Sequence, residues 1–449
     1  MRHTFFFCEC RWLLKGTMVV LINIFSTFKT VFISKICLKA RLGGHIMLID
    51  TGICCNEALR STNLINYNFA GEGCRLNPLN DIPNDWEFKA RYRFDKLNMQ
   101  RLVDLITPLL DITTTNRGLP CSAQQIVCSG LEILAGGHFF RVNGYCGGMA
   151  TGTAWSNLYR LVAALINPTV RGQFLYMPTH QQQQDNMNSV LEKYKLPNVI
   201  AAVDGCHIPF MEKPRKLPAG RSSKSYINRK GIPSINAQIV GGIDRRIYDI
   251  LLSAPGSFHD AAVWQLSPVK AWFETKFPRR YILADSAYAL SDVLITPYPE
   301  EQSHNDDNKC LFNVRHSQSR VEMTEDIYGM LKRRFPIVKY IRVNLDNAIN
   351  ITLAAAILHN IALDWADPMP VDDHPNLLQA QEPEEPPLLP VEEVVILNDL
   401  NLAQRRNRAV RSRDNYRAMM DPLPTERECR QMDFHRAEAQ ARRRARQRR

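Results

Sequence analysis

The hydrophobic period changes along this chain. From about Trp86 to Pro168 apolar residues recur at helical spacing, with Leu102, Leu105, Ile106 and Leu109 falling at i, i+3, i+4 and i+7. Ser122 and Gln125 form a capping box ahead of Val127, Leu131 and Leu134, and Gly136-Gly137 is the matching stop. A further helix over Thr153 to Ile166 runs into Pro168. Between Pro197 and Ala287 the period shortens. Val199 to Val203 is a buried-strand run that stops at Asp204, and Ser234 to Ile243 and Ile247 to Ala254 are two strands around the turn Asp244-Arg245-Arg246. Asp260 to Phe273 reads as one helix, Tyr281 to Ala284 as a short strand stopping at Asp285, and helices follow at about Val321–Phe335 and Ala348–Trp365. This order predicts an α/β sheet with helices packed on it.

The two ends read differently. Residues 11–38 are apolar but interrupted by Lys15, Asn23, Lys29 and Lys35, which leaves no run of the roughly 20 residues that span a bilayer, so no membrane segment is expected. The stretch from Arg11 to Ile49 has no acids, as in a mitochondrial leader, and Arg11 and Lys15 precede a short apolar core of signal-peptide kind. Neither reading has a clear cleavage signature, and an extension outside the mature protein fits equally. The net charge of +11 is unevenly spread. Residues 405–449 carry fifteen Arg against six acids, residues 364–400 carry ten acids and no base, and the first 363 residues are left at +12. The body is thus basic by itself, as a surface for polyanions requires. The acidic, Pro-rich segment and the Arg-rich one cannot bury enough apolar area to offset ordering entropy, and both are expected to be disordered. The twelve Cys include no C-x-x-C and no zinc-type Cys/His spacing, which fits reduced intracellular thiols.

Two apolar strands ending in Asp204 and Asp285 carry the candidate chemistry. Carboxylates just past neighbouring strand ends share the crevice where α/β sheets place their sites. They are ligands suited to Mg²⁺ or Mn²⁺, and a pair of such ions can activate a nucleophile and stabilise the leaving oxygen of a phosphodiester. Each Asp alone reads more readily as a strand-end turn or helix cap, and two in one sheet with basic residues nearby shift the balance. A third carboxylate is offered by Glu322 or Glu325, one turn apart, between which spacing does not choose. Lys332, Arg333 and Arg334 follow, to meet phosphates or water.

A series of short strings points further: Val203-Asp204-Gly205-Cys206-His207-Ile208, Tyr226-Ile227-Asn228-Arg229-Lys230-Gly231, Ser234-Ile235-Asn236-Ala237-Gln238, Gly256-Ser257-Phe258-His259-Asp260 and Leu283-Ala284-Asp285-Ser286-Ala287-Tyr288. They continue with Arg315-His316-Ser317, Glu325, Leu331-Lys332-Arg333-Arg334-Phe335 and Leu358-His359-Asn360-Ile361-Ala362. Taken together over roughly residues 88–365, this resembles the PIF/Harbinger transposases and their domesticated nuclease relatives. The resemblance implies a DDE metal site of Asp204, Asp285 and Glu325, the glutamate being placed by counting back from Arg334-Phe335. It adds Asp260 as a further acid at or beside the metals, where an N-cap role fits as well. His207 and His259 are expected to support or pack rather than ligate, since Mg²⁺ prefers oxygen. Ala287 stands where the family often has Gly, and Asp326 where a basic residue is usual.

The fold class expected is α/β: an RNase H-like catalytic domain at 191–365, preceded by a small helical, helix-turn-helix-like domain at 86–190 and an N-terminal extension at 1–85. An acidic linker at 366–404 and a disordered Arg-rich tail at 405–449 complete it. The function expected is metal-dependent cleavage of DNA by a two-metal mechanism, in the nucleus and also the cytoplasm. The resemblance implies a Myb/SANT-like protein partner. Two further readings remain: a DNA-binding or protein-interaction module without turnover, and an electrostatic tether or nuclear-import signal in the six Arg of residues 442–449.

Overall fold

The structure is a computed structural model and describes residues 37–42, 45–50, 77–112, 120–137, 139–211, 221–276, 280–369, 400–420 and 423–447, with Pro214 and Leu217. Residues 1–74 and 75–449 are two compact units. In the first, β1 (Cys37–Leu42) and β2 (His45–Asp50) form an antiparallel hairpin. Most of the apolar N-terminal run and the acidic segment through residue 399 lie outside the described residues. Among those described, no helix is long and apolar enough to cross a membrane.

The second unit begins with helices α1 (Pro78–Asp81), α2 (Asp85–Tyr92), α3 (Lys96–Ile106), α4 (Ala123–Gly136), α5 (Phe140–Cys146), α6 (Thr151–Leu165), α7 (Pro168–Phe174) and α8 (His180–Tyr194). Ser122 and Gln125 close the expected capping box on α4, and Gly137 ends the helix at a φ of 60°, a left-handed position where glycine has no Cβ penalty. An equivalent box at Thr179 and Gln182 starts α8, a helix hidden in sequence by its run of glutamines.

The sheet has the order β5-β4-β3-β6-β7, with β3 (Val199–Pro209), β4 (Ser234–Gly241), β5 (Ile247–Pro255), β6 (Tyr281–Leu283) and β7 (Leu294–Ile295). β3, β4 and β5 are antiparallel neighbours, while β6 runs parallel to β3 and β7 parallel to β6. β3 does not stop at Asp204. Its pairing with β4 continues through Pro209↔Ser234, and the change at Asp204 is the loss of β6, whose last register with β3 is Ala202↔Leu283.

The expected helix from Asp260 is two, α9 (Asp260–Leu266) and α10 (Pro268–Lys276), because Pro268 cannot continue the hydrogen-bond ladder. After α11 (Glu300–Ser303), the helix expected over Val321–Phe335 is also two, α12 (Asp307–Met323) and α13 (Glu325–Arg334), broken at Thr324 with φ −135° and ψ −63°. α14 (Leu345–Asp364) follows.

Packing ties these parts together. Ala201, Val203, Tyr248 and Ile282 form a core with Trp264 and Phe273 of α9 and α10. Ala202 and Leu283 pack with Phe312 and Met323 of α12, and Ile208 and Ile239 pack in a core with Ile327 of α13. The early helices share one core with α13 and α14: Phe88, Leu102, Leu131 and Leu161 cluster with Leu331, Phe335, Ile351 and Leu358. α8 lies on the sheet instead, where Asn186 donates to the Ile200 carbonyl at 2.9 Å.

The Arg-rich end departs from expectation. It is helical, as α15 (Leu400–Ala418) and α16 (Glu426–Gln447), and is docked by a few apolar and acidic residues together with the buried Arg413, which donates to the Pro297 carbonyl at 3.2 Å. Tyr416 is fully buried against Tyr281 and Phe312, Met432 joins Cys310, Leu311 and Val314, and Glu428 accepts from the buried Arg315 Nε at 2.7 Å. Composition averaged over the segment conceals these anchors. Removing one partner of a buried ion pair strands the other, so Arg315→Ala is expected to cost about 3 kcal/mol and to expose α15–α16 to protease, as read by urea unfolding and limited proteolysis.

Candidate active site

Asp204 and Asp285 lie where the sheet loses a strand. Each is two residues beyond the last register pair, Ala202↔Leu283, and parallel neighbours are about 4.8 Å apart, so the ladder sets the two chains side by side as they separate. Strand alternation puts Asp204 on the face of Ala202, toward α12 and α13. There Arg320 Nη1 donates to its Oδ2 at 2.6 Å and the Thr324 hydroxyl lies 3.4 Å from the same oxygen. The Gly205 N–H donates to its Oδ1 at 2.8 Å.

Asp260 approaches from the opposite face. It is the first residue of α9, but His259 is the N-cap and Asp260 does not cap; its Oδ1 accepts from Asn236 Nδ2 at 2.7 Å. The approach depends on Gly205, where a Cβ would stand 2.2 Å from Asp260 Oδ1 and 2.9 Å from Asn236 Oδ1. Gln238, one register step along β4, donates to the buried Tyr288 hydroxyl at 2.9 Å, and the electrostatic field of all three aspartates reaches that hydroxyl.

Glu325 opens α13. Its Oε1 accepts from Arg320 Nη2 at 2.9 Å, so one guanidinium spans Asp204 and Glu325. Glu322, the alternative that spacing left open, turns away at the end of α12, where Lys193 holds it at 2.6 Å and the Tyr194 hydroxyl also donates to it. The helix break at Thr324 separates the two glutamates.

The crowding is visible in proton affinity. Burial pushes the Asp204 carboxyl up to about 6; Asp285 and Asp260 add to the rise, while Arg320 and the Gly205 N–H oppose it. Burial raises Asp285 as well, with Asp260 adding to it. His207 is lowered by burial and by Arg229, Lys230 and Lys332, against the pull of Asp260, and its Nδ1 is 3.2 Å from the Ser234 hydroxyl. His259 is the exposed N-cap of α9 and makes no side-chain cap hydrogen bond.

Other residues of the sequence strings serve the scaffold. His316 Nε2 donates to the Ile295 carbonyl and His359 Nε2 to that of Arg245, both at 2.9 Å, and Asn360 bonds the N–H and the carbonyl of Ile247. Arg334, a candidate for phosphate, is buried and donates to the Arg93 carbonyl at 2.7 Å. Sequence reasoning missed Arg320 and Thr324, and gave no role to Tyr288, which closes one of the strings. Asn236 and Gln238, two polar residues at alternate positions of an apolar strand, were the available signal for the polar side of the site.

These carboxylates from separate strands and helices lie in a segment that comparison with known proteins singles out. Residues 203–360 match the family described as DDE superfamily endonuclease. This segment of the chain is similar to that family's domain. The chain is also similar to the mouse protein named "Putative nuclease HARBI1", at 27% identity over 65% of this chain and 83% of the relative, and to its human counterpart at 27% over 65% and 82%. The Arabidopsis thaliana "Protein ALP1-like" is 28% identical over 64% of this chain and 71% of its own length. No solved structure matches. Asp204, Asp260, Asp285 and Glu325 all fall within the DDE endonuclease segment, and the chain is homologous to Harbinger-derived proteins over most of their length.

All-oxygen donors suit a hard divalent cation, and the Asn236 Oδ1 is a buried acceptor with no hydrogen-bond partner beside Asp260. Among the described residues, however, no three His, Cys, Asp or Glu side chains already stand as a metal-binding group. The donor set fits in chemistry, and Arg320 occupies oxygens that a metal would use.

Two outcomes follow from this geometry. Gly205→Ala should destabilise the protein by about 1–3 kcal/mol, as overpacking does, with most of the loss recovered by adding Asp260→Ala in a double-mutant cycle. The raised Asp204 carboxyl binds its proton more tightly folded than unfolded, so its stabilising contribution is complete below about pH 4 and is lost as pH rises through about 6. Asp204→Asn should therefore raise the melting temperature in EDTA at pH 7.5 and have little effect at pH 4, by calorimetry.

Proposed function

We propose that this protein cleaves phosphodiester bonds of DNA with divalent metal ions, using an RNase H-like catalytic domain in which Asp204, Asp285 and Glu325 are the catalytic carboxylates and Asp260 assists. The observation that supports it most is the convergence of three aspartates from β3, the end of β6 and the start of α9 within a DDE endonuclease domain. A divalent metal bound there supplies Lewis acidity, activating a water or hydroxyl nucleophile and stabilising the leaving oxygen.

The protein's own part is to hold the ligands apart from bulk water and to bind the polyanion. Asp204 is fixed by the Gly205 N–H and by its strand, Asp260 by Asn236, and Asp285 by the N–H of Ala287 at 2.9 Å. Exposed Arg229 and Lys230, with the half-buried Lys332, act on His207 from nearby and would meet phosphates beside the carboxylates. The carboxylates act as ligands and not as general bases.

Plasmid nicking tests this reading. The protein should nick supercoiled DNA in Mg²⁺ or Mn²⁺ and not in EDTA, and Asp204→Asn or Asp285→Asn should lower the rate by at least about a thousandfold, the scale seen when one member of a concerted catalytic group is removed. Unchanged nicking by either folded variant refutes the assignment.

A further inference from the structure

Both oxygens of Asp204 are already engaged. Oδ1 accepts from the Gly205 N–H and Oδ2 from Arg320 at 2.6 Å, and the other arm of the same guanidinium holds Glu325 at 2.9 Å. The Arg320 and Asp204 side chains are only 15% and 14% exposed, whereas Glu325 is 53% exposed. Arg320 reaches both because α12 ends just after it and α13 begins at Glu325, the turn between them being drawn tight by the Thr324 hydroxyl donating to the Arg320 carbonyl at 2.8 Å.

A guanidinium and a divalent cation require the same lone pairs of these two carboxylates. The guanidinium is a weakly hydrated cation whose planar fork matches carboxylates, and it offsets the charge of a half-buried Asp204 crowded by Asp285 and Asp260. Like-charge crowding of this kind needs a counter-ion inside the site, and Arg320 supplies one in direct contact with Asp204 and Glu325.

We propose that Arg320 is a resident counter-ion that competes with divalent metal for Asp204 and Glu325, so that metal binding proceeds only as the guanidinium yields. The inference rests on the reading that these carboxylates hold metal. It makes Arg320 a residue that weakens metal affinity in return for a stable carboxylate cluster, opposite in sign to a residue that merely pre-positions the ligands.

The test is Mn²⁺ binding to the full chain at pH 8, followed by the electron paramagnetic resonance signal of the free ion, for the wild type, Arg320→Gln, Arg320→Lys, Asp204→Asn and the double variant Asp204→Asn/Arg320→Gln. Arg320→Gln should tighten Mn²⁺ binding by on the order of tenfold, within the range of site-to-site coupling, and should lower the melting temperature in EDTA while enlarging the rise on adding Mn²⁺. Arg320→Lys, whose ammonium cannot fork across both carboxylates, should lie between and carries the test if the Gln variant does not fold. The gain should vanish in the double variant. Wild-type binding that depends on Asp204 but is unchanged or weakened by both Arg320 substitutions overturns the competition and leaves the proposed function standing. Binding that is absent or indifferent to Asp204 in every variant overturns both.

Discussion

Three carboxylates share a partly desolvated rim of the sheet, and that unfavourable proximity is the constraint to which the surrounding structure answers. The ladder between β3 and β6 imposes it: once Ala202 and Leu283 are paired, Asp204 and Asp285 leave the sheet together. Gly205 then admits Asp260 from the other face, where any side chain would exclude it. Each carboxylate is compensated by a directed donor, the Gly205 N–H, Asn236 or the Ala287 N–H, and Arg320 supplies a full positive charge. Burial nevertheless wins over these donors at Asp204 and Asp285, whose proton affinity remains raised.

The rest of the molecule holds this rim in place. α12 places Arg320 at its end and is itself clamped at mid-length, where Arg315 is buried against Glu428 and His316 bonds the Ile295 carbonyl. α14 is joined to β5 by Asn360, which bonds the N–H and the carbonyl of Ile247 in the way another strand would. Residues that look like one motif in sequence therefore divide into two kinds. Asp204, Asp260, Asp285 and Glu325 face the candidate site, while Arg315, His316, Arg334, His359 and Asn360 satisfy buried backbone or charge.

Much of the fold was legible because it rests on local physics. The capping box at Ser122, the glycine stop at Gly137, the hairpin at Asp244-Arg245-Arg246 and the buried strand runs follow from backbone hydrogen bonding and period. The breaks within the expected helices differ in this respect. Pro268 is a local signal that periodicity outweighed, whereas the break at Thr324 has neither Pro nor Gly and depends on a buried threonine packed beside Asp204. The docking of α15 and α16 was hidden because Tyr416, Met432 and Glu428 are few among many arginines, and mean composition weights them equally with solvated residues.

By itself the sequence determined which acids close apolar runs, which residue types suit a hard cation, and the resemblance to DDE endonucleases over the central segment. Only the tertiary structure decided that Glu325 and not Glu322 reaches Asp204 through Arg320, that Asp260 faces the strand instead of capping its helix, and that Arg334 is internal. The reason is physical: period and capping are set by neighbours within a few residues, whereas a charge's partner is set by whichever element packs against it, and that information lies more than a hundred positions away along the chain.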